Sequence, residues 1–348
     1  MRVLYILLAL LVFGFLIFIH EFGHYIMARI FRVKIKEFSI GMGPKLVTYT
    51  SKKTDIKYSL GMFPIGGYVS MAGEDEESDD ENALFRKPAW QRLVITVAGA
   101  AMNIILGALV MFILIAATPD TMYSTEVDSI ITREEVPREN SSEDSGLRAG
   151  DRIIAVNGKR VRILSELDYE IMRQGIETLE LTVMRQGEKI KLYADFPVYV
   201  DRNQYLGARD FYTTPENATL GNVLKHGFFR SVLTVRTIWE SLFDLITGRF
   251  GIEAVSGPVG VTSQVTQAAK GGIANLVYIA VVISINLGVV NLLPFPALDG
   301  GRIIFILFEM IAGRPVPMKY EGMIHFAGIV ILLAFMLFIT VKDIASLI

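Results

Sequence analysis

The chain of 348 residues contains no cysteine. Disulfide bonds, zinc sites built from thiolates and a cysteine nucleophile are therefore excluded, whereas the compartment of the protein stays open. Histidine is also scarce, because the chain has only four, and a metal site with imidazole ligands has few places to form. Two of them, His20 and His24, stand four positions apart, which directs attention to the N-terminal segment.

Charged residues are the second shortage. They make up 20% of the chain, against 52% hydrophobic residues, whereas a soluble domain has about 25% charged and about 45–50% apolar residues. The charges are nearly absent from the first 19 residues and from two later blocks, and are concentrated between them. This distribution predicts a membrane protein with a soluble insert. The net charge of −2 gives no electrostatic reason to expect a nucleic acid partner.

Four apolar segments are long enough, at about 20 residues, to cross a membrane as helices. The first runs from Leu4 to Ile19 and continues with helical character into the sequence HEFGHYIMARIF. A cleaved signal peptide is the alternative, but no small-x-small cleavage site follows the apolar run. We therefore predict a polytopic α-helical membrane protein with four transmembrane helices. The other three segments are Val94–Ala117, Ile273–Leu293 and Ile324–Val341.

The apolar segments define two membrane halves, residues 1–117 and residues 273–348. Within the first half, residues 33–71 contain short β-type pieces separated by glycine and proline, which indicates a hairpin or a small sheet. The acidic run Glu74–Glu81 is typical of a solvated loop.

Polar sequence separates the two halves. Residues 118–212 show alternating strand patterns, with a hairpin turn predicted at Arg185–Glu188, and the stretch is long enough for one domain. Residues 213–272 contain an amphipathic helix, Leu220–Ile246, followed by a loop with the sequence SGP. Because its polar residues form one helical stripe, we expect this helix to lie at the membrane interface and not to span the bilayer.

Basic residues predict the orientation of the chain in the membrane. The segment from Ala28 to Tyr58 holds eight Lys or Arg residues against Glu37 and Asp55. Short loops rich in Lys and Arg stay in the cytoplasm. The loop between the first two spans is therefore expected to be cytoplasmic, and the insert and both termini extracytoplasmic.

The sequence His20-Glu21-Phe22-Gly23-His24 is an HExxH motif on the first predicted helix. A spacing of four places both imidazoles on one helix face, and Glu21 between them is positioned to act on a metal-bound water. The alternative is a pair of histidines that only hydrogen-bond inside a helical bundle. That alternative has to explain three ionisable groups in one apolar helix, which is costly in a membrane.

A zinc site of this kind needs a third protein ligand, and Asp299 in NLLPFPALDGG is the strongest candidate. A carboxylate inside a membrane protein should be paired with a metal or a countercharge. The alternative role for Asp299 is a helix N-cap after the proline break. Glu309 and His325 are weaker ligand candidates, because both lie near helix ends where water can solvate them. The same break, which follows Asn291, predicts a wet cavity at membrane depth.

These residues resemble the site-2 protease family of intramembrane zinc metalloproteases, in its bacterial regulator-of-sigma-E protease branch. The resemblance extends from the first predicted span to the third. The matching segments, in order, are HEFGH, FSIGMG at Phe38–Gly43, PIGGYV at Pro64–Val69, SGPVG at Ser256–Gly260 and NLLPFPALDGGR at Asn291–Arg302.

The resemblance implies one Zn2+ per chain, held by His20, His24 and Asp299, with Glu21 as general base and acid. Asn291 is implied to hold the substrate backbone near the metal. The other residues implied to contact substrate are Pro294 and Pro296 in the broken segment and Gly41, Met42 and Gly43 in a membrane-re-entrant β-hairpin. Such a hairpin would bind unwound substrate by strand addition.

The insert carries SGLRAGDRIIAVNG at Ser145–Gly158, which is similar to bacterial PDZ domains. The alternative is a generic β-turn-β unit. The resemblance implies an inserted α+β PDZ domain that binds a peptide or the C-terminus of a substrate. Well-known members of the family carry two tandem PDZ domains, whereas this insert has room for one, so a size filter built from two domains is not implied.

We expect a protease of the bacterial cytoplasmic membrane that acts on single-span proteins within the lipid bilayer, such as anti-sigma factors or remnant signal peptides. Two other classes stay open on sequence alone. A membrane scaffold would use the insert to recruit partners, with the histidines only packing. An ion transporter would use His20, Glu21, His24 and Asp299 as a cation site. The glutamate at the general-base position of HExxH favours proteolysis.

Overall fold

The computed structural model describes residues 2–74, 76, 78–132, 134, 140–201, 204–249 and 255–345. Two residues of the predicted acidic loop, 75 and 77, and residues 250–254 of the segment that leads to the SGP loop lie outside this description. The chain forms two compact units. The first, called the membrane unit, consists of Met1–Gly107 with Val255–Ile348, and the second, called the insert unit, consists of Ala108–Ala254.

The secondary structure is mixed, with long helices in the membrane unit and a larger sheet in the insert unit. The helices are α1 Arg2–Ile30, α2 Ala89–Ala117, α3 Leu164–Gln174, α4 Leu220–Ile246, α5 Pro258–Lys270, α6 Ile273–Asn291, α7 Asp299–Ala312 and α8 Met318–Ala345. The strands are β1 Ile35–Thr50, β2 Lys57–Met71, β3 Tyr123–Ile130, β4 Arg152–Val156, β5 Lys159–Arg160, β6 Leu179–Arg185, β7 Glu188–Ala194, β8 Val198–Asp201, β9 Gln204–Gly207 and β10 Phe211–Pro215.

Four helices in the described part of the chain are long and apolar enough to cross a membrane, which confirms the predicted number of spans. They are Leu7–Ile30 of α1, then α2, α6 and α8. Helices α2 and α8 begin at Ala89 and Met318, before the apolar segments predicted at Val94 and Ile324. In both cases a proline directly precedes the helix, and a polar first turn then extends it beyond its apolar part.

The predicted hairpin is present as an antiparallel pair, β1 and β2. The first half of β1 pairs with the second half of β2, from Ile35 opposite Met71 to Met42 opposite Phe63. It also pairs with the first half of β2, from Glu37 opposite Lys57 to Ile40 opposite Leu60. The first half of β1 is therefore enclosed on both sides, and the second half of β2 is left at an edge of the sheet. Buried residues of the hairpin pack with Ala28 of α1 and Ile95 of α2.

The SGPVG segment forms the beginning of α5 and is bound by the last helix. The Asp343 carboxylate of α8 accepts hydrogen bonds from the backbone N–H groups of Gly257, at 2.9 Å, and Gly260, at 2.8 Å. A Cβ atom on either glycine would lie 3.0 Å from Oδ2 of Asp343. The two glycines of the motif thus allow a carboxylate to reach the positive end of α5.

The insert unit contains a sheet with the strand order β10-β3-β4-β6-β7, and β5 pairs with β4 at its side. One face of this sheet and α3 enclose an apolar core that includes Ile153, Leu167 and Phe211. The turn predicted at Arg185–Glu188 is present between β6 and β7, with Gln186 and Gly187 both at positive φ, as a two-residue hairpin turn of this type requires. Helix α4 has the predicted bounds.

Candidate metal centre

His20 and His24 lie on one face of α1, and both are largely buried, with 8% of each residue exposed. Their Nε2 atoms are 3.2 Å apart, because residues four apart on a helix are neighbours on its surface. Nδ1 of His24 is 2.8 Å from the backbone oxygen of Ile95 on α2 and donates a hydrogen bond to it. The proton on Nδ1 leaves a lone pair on Nε2, so His24 is in the tautomer that binds a metal through this atom.

Asp299 reaches the same point from the other end of the sequence. It is the first residue of α7, and its Oδ2 lies 3.1 Å from Nε2 of His20 and 3.4 Å from Nε2 of His24. The N-cap position is Leu298, and no side chain caps this helix, so the alternative role of Asp299 as N-cap is wrong. The glycines after it explain the geometry, because a Cβ on Gly300 would lie 1.9 Å from the backbone oxygen of Leu293.

The three ligand atoms form a nearly equilateral triangle, with sides of 3.1, 3.2 and 3.4 Å. Tetrahedral zinc with ligand distances of about 2.0–2.1 Å has neighbouring ligand atoms about 3.3–3.4 Å apart. Oδ2 of Asp299 is buried and makes no hydrogen bond within the described part of the chain. Buried polar atoms are normally satisfied, and two imidazoles and a carboxylate are a usual zinc donor set. The residues present therefore fit the zinc ion implied by the sequence.

Helix α2 lies close enough to α1 to support this triangle. A Cβ on Gly99 would lie 2.3 Å from Nε2 of His24, so no other residue leaves room for the imidazole at this position. A Cβ on Gly23, inside the HExxH motif, would lie 2.4 Å from the backbone oxygen of Ala98. The small residues of α2 thus serve the site directly by making space for a ligand.

Glu21 lines the same cavity as the three ligands and is half-buried. The cavity is also lined by Tyr68–Met71 from the second half of β2. Gly67, the residue before this stretch, packs closely against Glu21, because a Cβ on Gly67 would lie 3.4 Å from Cγ of Glu21. A carboxylate, three ligands and a strand edge therefore share one cavity.

An ion pair also lines this cavity. Arg302, one turn after Asp299 on α7, donates a hydrogen bond to Glu74, which lies three residues after the end of β2. Oε2 of Glu74 accepts a second hydrogen bond, 3.2 Å long, from the backbone N–H of Met71. The pair ties the end of β2 to the helix that carries the third ligand.

Several residues predicted to contact substrate are absent from the described lining of this cavity. The described residues that line the cavity do not include Asn291, Pro294 or Pro296. They do not include the segment Gly41–Gly43 either. Asn291 is the last residue of α6, and Pro294 is exposed. Pro296 packs against α8, where a Cβ on Gly328 would lie 2.4 Å from Cβ of Pro296.

Gly41 and Gly43 both have positive φ, and Met42 between them is 55% exposed. They form the bend of β1, and a Cβ on Gly41 would lie 2.6 Å from the backbone oxygen of Phe63. Any contact with substrate at this bend stays a prediction.

The two weaker ligand candidates are engaged with other groups. Glu309 accepts a hydrogen bond from Arg92 of α2. Nδ1 of His325 accepts one from the backbone N–H of Ala297, at 3.1 Å, and so supports the segment before Asp299. Neither belongs to the group of side chains that could hold a metal ion, which is His20, His24 and Asp299 among the described residues.

One residue at the centre was missed by sequence reasoning. Asn103 of α2 is fully buried, and its side chain lies against His20. The sequence does contain a sign of its role, because Asn103 and Thr96 are the polar residues of the apolar segment Val94–Ala117. A polar side chain within a membrane span is a functional candidate by default.

The chain is similar to known proteins over nearly its whole length. The model of peptidase family M50 matches residues 8–335 of the chain. A protein of Clostridium acetobutylicum, whose name describes it as a zinc metalloprotease, is 34% identical over 341 residues, covering 97% of each chain. The zinc metalloprotease RasP of Geobacillus kaustophilus is 30% identical, with 96% of each chain covered. The regulator of sigma-W protease RasP of Bacillus subtilis is 28% identical, with 97% of each chain covered.

Proposed function

The chain belongs to peptidase family M50, and we propose that it is a zinc-dependent membrane endopeptidase that cleaves the transmembrane segments of single-span proteins. The observation that carries this proposal is the triangle of His20, His24 and Asp299 beside Glu21. Two of the ligands and Glu21 lie within a helix that is long and apolar enough to cross a membrane. The names of relatives as zinc metalloproteases support zinc as the metal.

The ligands His20, His24 and Asp299 would hold Zn2+, and the fourth position would stay open for water or substrate. When bound, zinc acts as a Lewis acid that polarises the scissile carbonyl and lowers the pKa of water towards about 7. Glu21 accepts the proton of the attacking water and then delivers it to the nitrogen of the leaving amine. Its location in the cavity of the ligands supports this role.

A transmembrane helix hides its amides in its own hydrogen bonds, so a substrate has to become extended before it is cleaved. We propose that the extended segment pairs with the second half of β2, whose outer edge is free of β1 and whose residues Tyr68–Met71 line the cavity. Strand addition would satisfy the released backbone groups beside the metal. The bend at Gly41–Gly43 would then guide entry to this edge and not bind at the metal.

Asn291 and the prolines Pro294 and Pro296 are proposed to contact the substrate on the opposite side of the strand. Asn291 ends α6, and the segment after it is irregular, with short-range backbone hydrogen bonds such as those from Leu293 to Val290 and from Leu298 to Phe295. Such a segment is tolerated at membrane depth where it lines a cavity.

The localisation proposed is the bacterial cytoplasmic membrane, with the loop between α1 and α2 in the cytoplasm and with residues 118–212 and both termini outside. Residues 118–212 would act as one PDZ domain that binds a peptide or the substrate C-terminus. The substrates would be anti-sigma factors or remnant signal peptides already shortened outside the membrane. The name of the Bacillus subtilis relative, a regulator of sigma-W protease, supports the first class.

The test is cleavage of a single-span model substrate by the purified full-length protein in detergent, with Zn2+ content measured on the same samples. Glu21→Gln should keep the zinc and lower the cleavage rate by about 100- to 10,000-fold, because it removes the proton-transfer group and no ligand. Glu309→Gln is the matched control, since Glu309 lies outside the cavity of the ligands and the amide still accepts from Arg92.

Cleavage by Glu21→Gln at the wild-type rate would contradict the assignment of the base. A wild-type protein that binds no zinc and cleaves no substrate would support the alternative hypothesis of a membrane scaffold. Zinc-independent ion flux in proteoliposomes, without any peptide cleavage, would support the alternative hypothesis of an ion transporter.

A further inference from the structure

Among the described residues, Asn103 is a buried side chain next to the metal ligands whose polar atoms are incompletely used. Its residue is 0% exposed, and its amide nitrogen Nδ2 lies 3.4 Å from Nδ1 of His20. Its amide oxygen Oδ1 is buried and has no hydrogen-bond partner within the described part of the chain. With either end of the amide toward His20, the other end lacks a partner in the described part of the chain, so what calls for an explanation is which end faces the imidazole.

The chemistry of His20 supplies one. Its Nε2 faces Asp299 and His24, and this atom can bind a metal only through an unprotonated lone pair. The neutral imidazole then carries its proton on Nδ1, which faces Asn103. An N–H group needs an acceptor, and an amide nitrogen cannot serve as one. With Nδ2 toward His20, the imidazole proton would have to be on Nε2, where it blocks the metal.

A half-turn of the amide removes the conflict. The two ends of a primary amide have the same shape, so the rotation exchanges oxygen and nitrogen without moving any other group. We propose that Asn103 is a positioning residue of the metal centre, whose Oδ1 accepts a hydrogen bond from Nδ1–H of His20. Asn103 thereby fixes both the tautomer and the orientation of this ligand. The proposal rests on the metal site proposed above.

One face of α2 supports both histidines, each at its Nδ1 atom, although the supporting groups differ. Ile95, Gly99 and Asn103 recur every four residues along α2 and so lie on one side of it. Ile95 offers its backbone oxygen to Nδ1 of His24, and Gly99 makes room for the same imidazole. Two turns later, Asn103 offers a side-chain amide to Nδ1 of His20.

The backbone of Asn103 is itself held in place. Its carbonyl oxygen accepts a hydrogen bond, 2.8 Å long, from the hydroxyl of Ser284 on α6. Helix α6 therefore fixes the part of α2 that supports His20. This hydrogen bond goes to the main chain of Asn103, so Ser284→Ala removes it while the side-chain amide stays.

The experiment measures zinc affinity of the purified full-length protein in detergent, by competition with a chelator of known affinity. Asn103→Leu has nearly the same size and no acceptor, and it should weaken zinc binding by about 10- to 100-fold, as loss of a group behind a ligand typically does. Asn103→Asp keeps an acceptor oxygen and should bind zinc about as well as the wild type. The absorption spectrum of bound Co2+ should shift in Asn103→Leu and not in Asn103→Asp.

Ser284→Ala is the matched control and should leave zinc affinity and the Co2+ spectrum unchanged, even where it lowers thermal stability. Wild-type zinc affinity in Asn103→Leu would overturn the proposal, and so would an equal loss in Asn103→Leu and Asn103→Asp. If Asn103→Leu does not fold, Asn103→Val against Asn103→Asp makes the same comparison. A wild-type protein that binds no zinc refutes the metal site itself, and zinc binding without proteolysis refutes only the proposed function.

Discussion

Two buried polar clusters, one in each unit, differ in how completely their groups are satisfied. In the insert unit, Arg173 of α3 donates a 2.8 Å hydrogen bond to Asp244 of α4 and lies 3.3 Å from Glu240. Arg236 pairs with Glu240 and with Glu170, which is fully buried. In this network each buried carboxylate faces a cation, so its charges are balanced by the chain itself.

The cluster in the membrane unit has no such balance. Three atoms with lone pairs, from His20, His24 and Asp299, face one another at 3.1–3.4 Å, and Oδ2 of Asp299 has no hydrogen bond within the described part of the chain. An arrangement of this kind is unfavourable unless a cation joins it. Burial of charge alone therefore does not identify a metal site, whereas a buried group of donor atoms without a cation or hydrogen-bond donor of its own does.

The largest effect expected from this comparison is the loss of zinc in the double variant His20→Ala, His24→Ala. Two of the three proposed protein ligands are removed, so zinc affinity should fall by more than the factor of about 100 that loss of a supporting group costs. Metal analysis of the purified full-length protein checks this, together with cleavage of the model substrate, which should disappear. Stoichiometric zinc in the double variant would show that the metal binds elsewhere in the chain. The two clusters would then not differ in whether they hold a metal.

Much of the fold could be predicted because it depends on local patterns. The four spans follow from apolar length, the bounds of α4 from its polar stripe, and the turn between β6 and β7 from the sequence Arg-Gln-Gly-Glu. In these cases neighbouring residues decide the conformation.

The candidate ligands could be named for a related reason. His20 and His24 are on one face of a single helix, and Asp299 is a carboxylate that is costly in an apolar setting. The structure then brings the three together, which no local pattern could show. Their role as ligands stays a proposal until zinc is measured.

Features that depend on contacts between distant elements could not be predicted. The acceptor for His20 is on another helix, so its role depends on which face of α2 meets α1. The glycines of SGPVG depend on Asp343, more than 80 residues later in the chain. The cavity beside Glu21 is lined by the second half of β2 and not by the bend at Gly41–Gly43, because β1 pairs on both sides and the register decides which edge is outside.

A smaller effect is expected when the balanced cluster is broken. Arg173→Met leaves the carboxylate of Asp244, whose residue is 2% exposed, without its cation. Loss of one partner from a buried pair should lower the free energy of unfolding of the insert unit by about 3 kcal/mol, near the lower end of the usual range. Urea unfolding followed by the fluorescence of Trp239 on α4, in a Trp90→Phe background that removes the second tryptophan, measures it.

The double variant Arg173→Met, Asp244→Leu is the control for this prediction, because an apolar pair restores most of the loss when neither charge is left alone. Zinc affinity should be unchanged in both variants. A lower zinc affinity in Arg173→Met would show that the two clusters are not independent, and an equal stability of all three proteins would show that the network contributes nothing.

The smallest effect concerns pH and the tyrosine of the balanced cluster. Burial, together with a 2.8 Å hydrogen bond that its hydroxyl donates to Glu240, raises the pKa of Tyr169 from its usual 10.0 to about 12. Because the pKa is higher in the folded state, this stabilisation is complete below pH 10.0 and is lost as the pH rises towards 12. The free energy of unfolding of the wild type should therefore fall over this interval by more than that of Tyr169→Phe, which has no phenol to ionise. Lysines that titrate in the same interval contribute equally to both proteins, so their contribution cancels in the difference. Parallel curves would show that folding does not raise the pKa of Tyr169 and that the network is looser than its distances indicate.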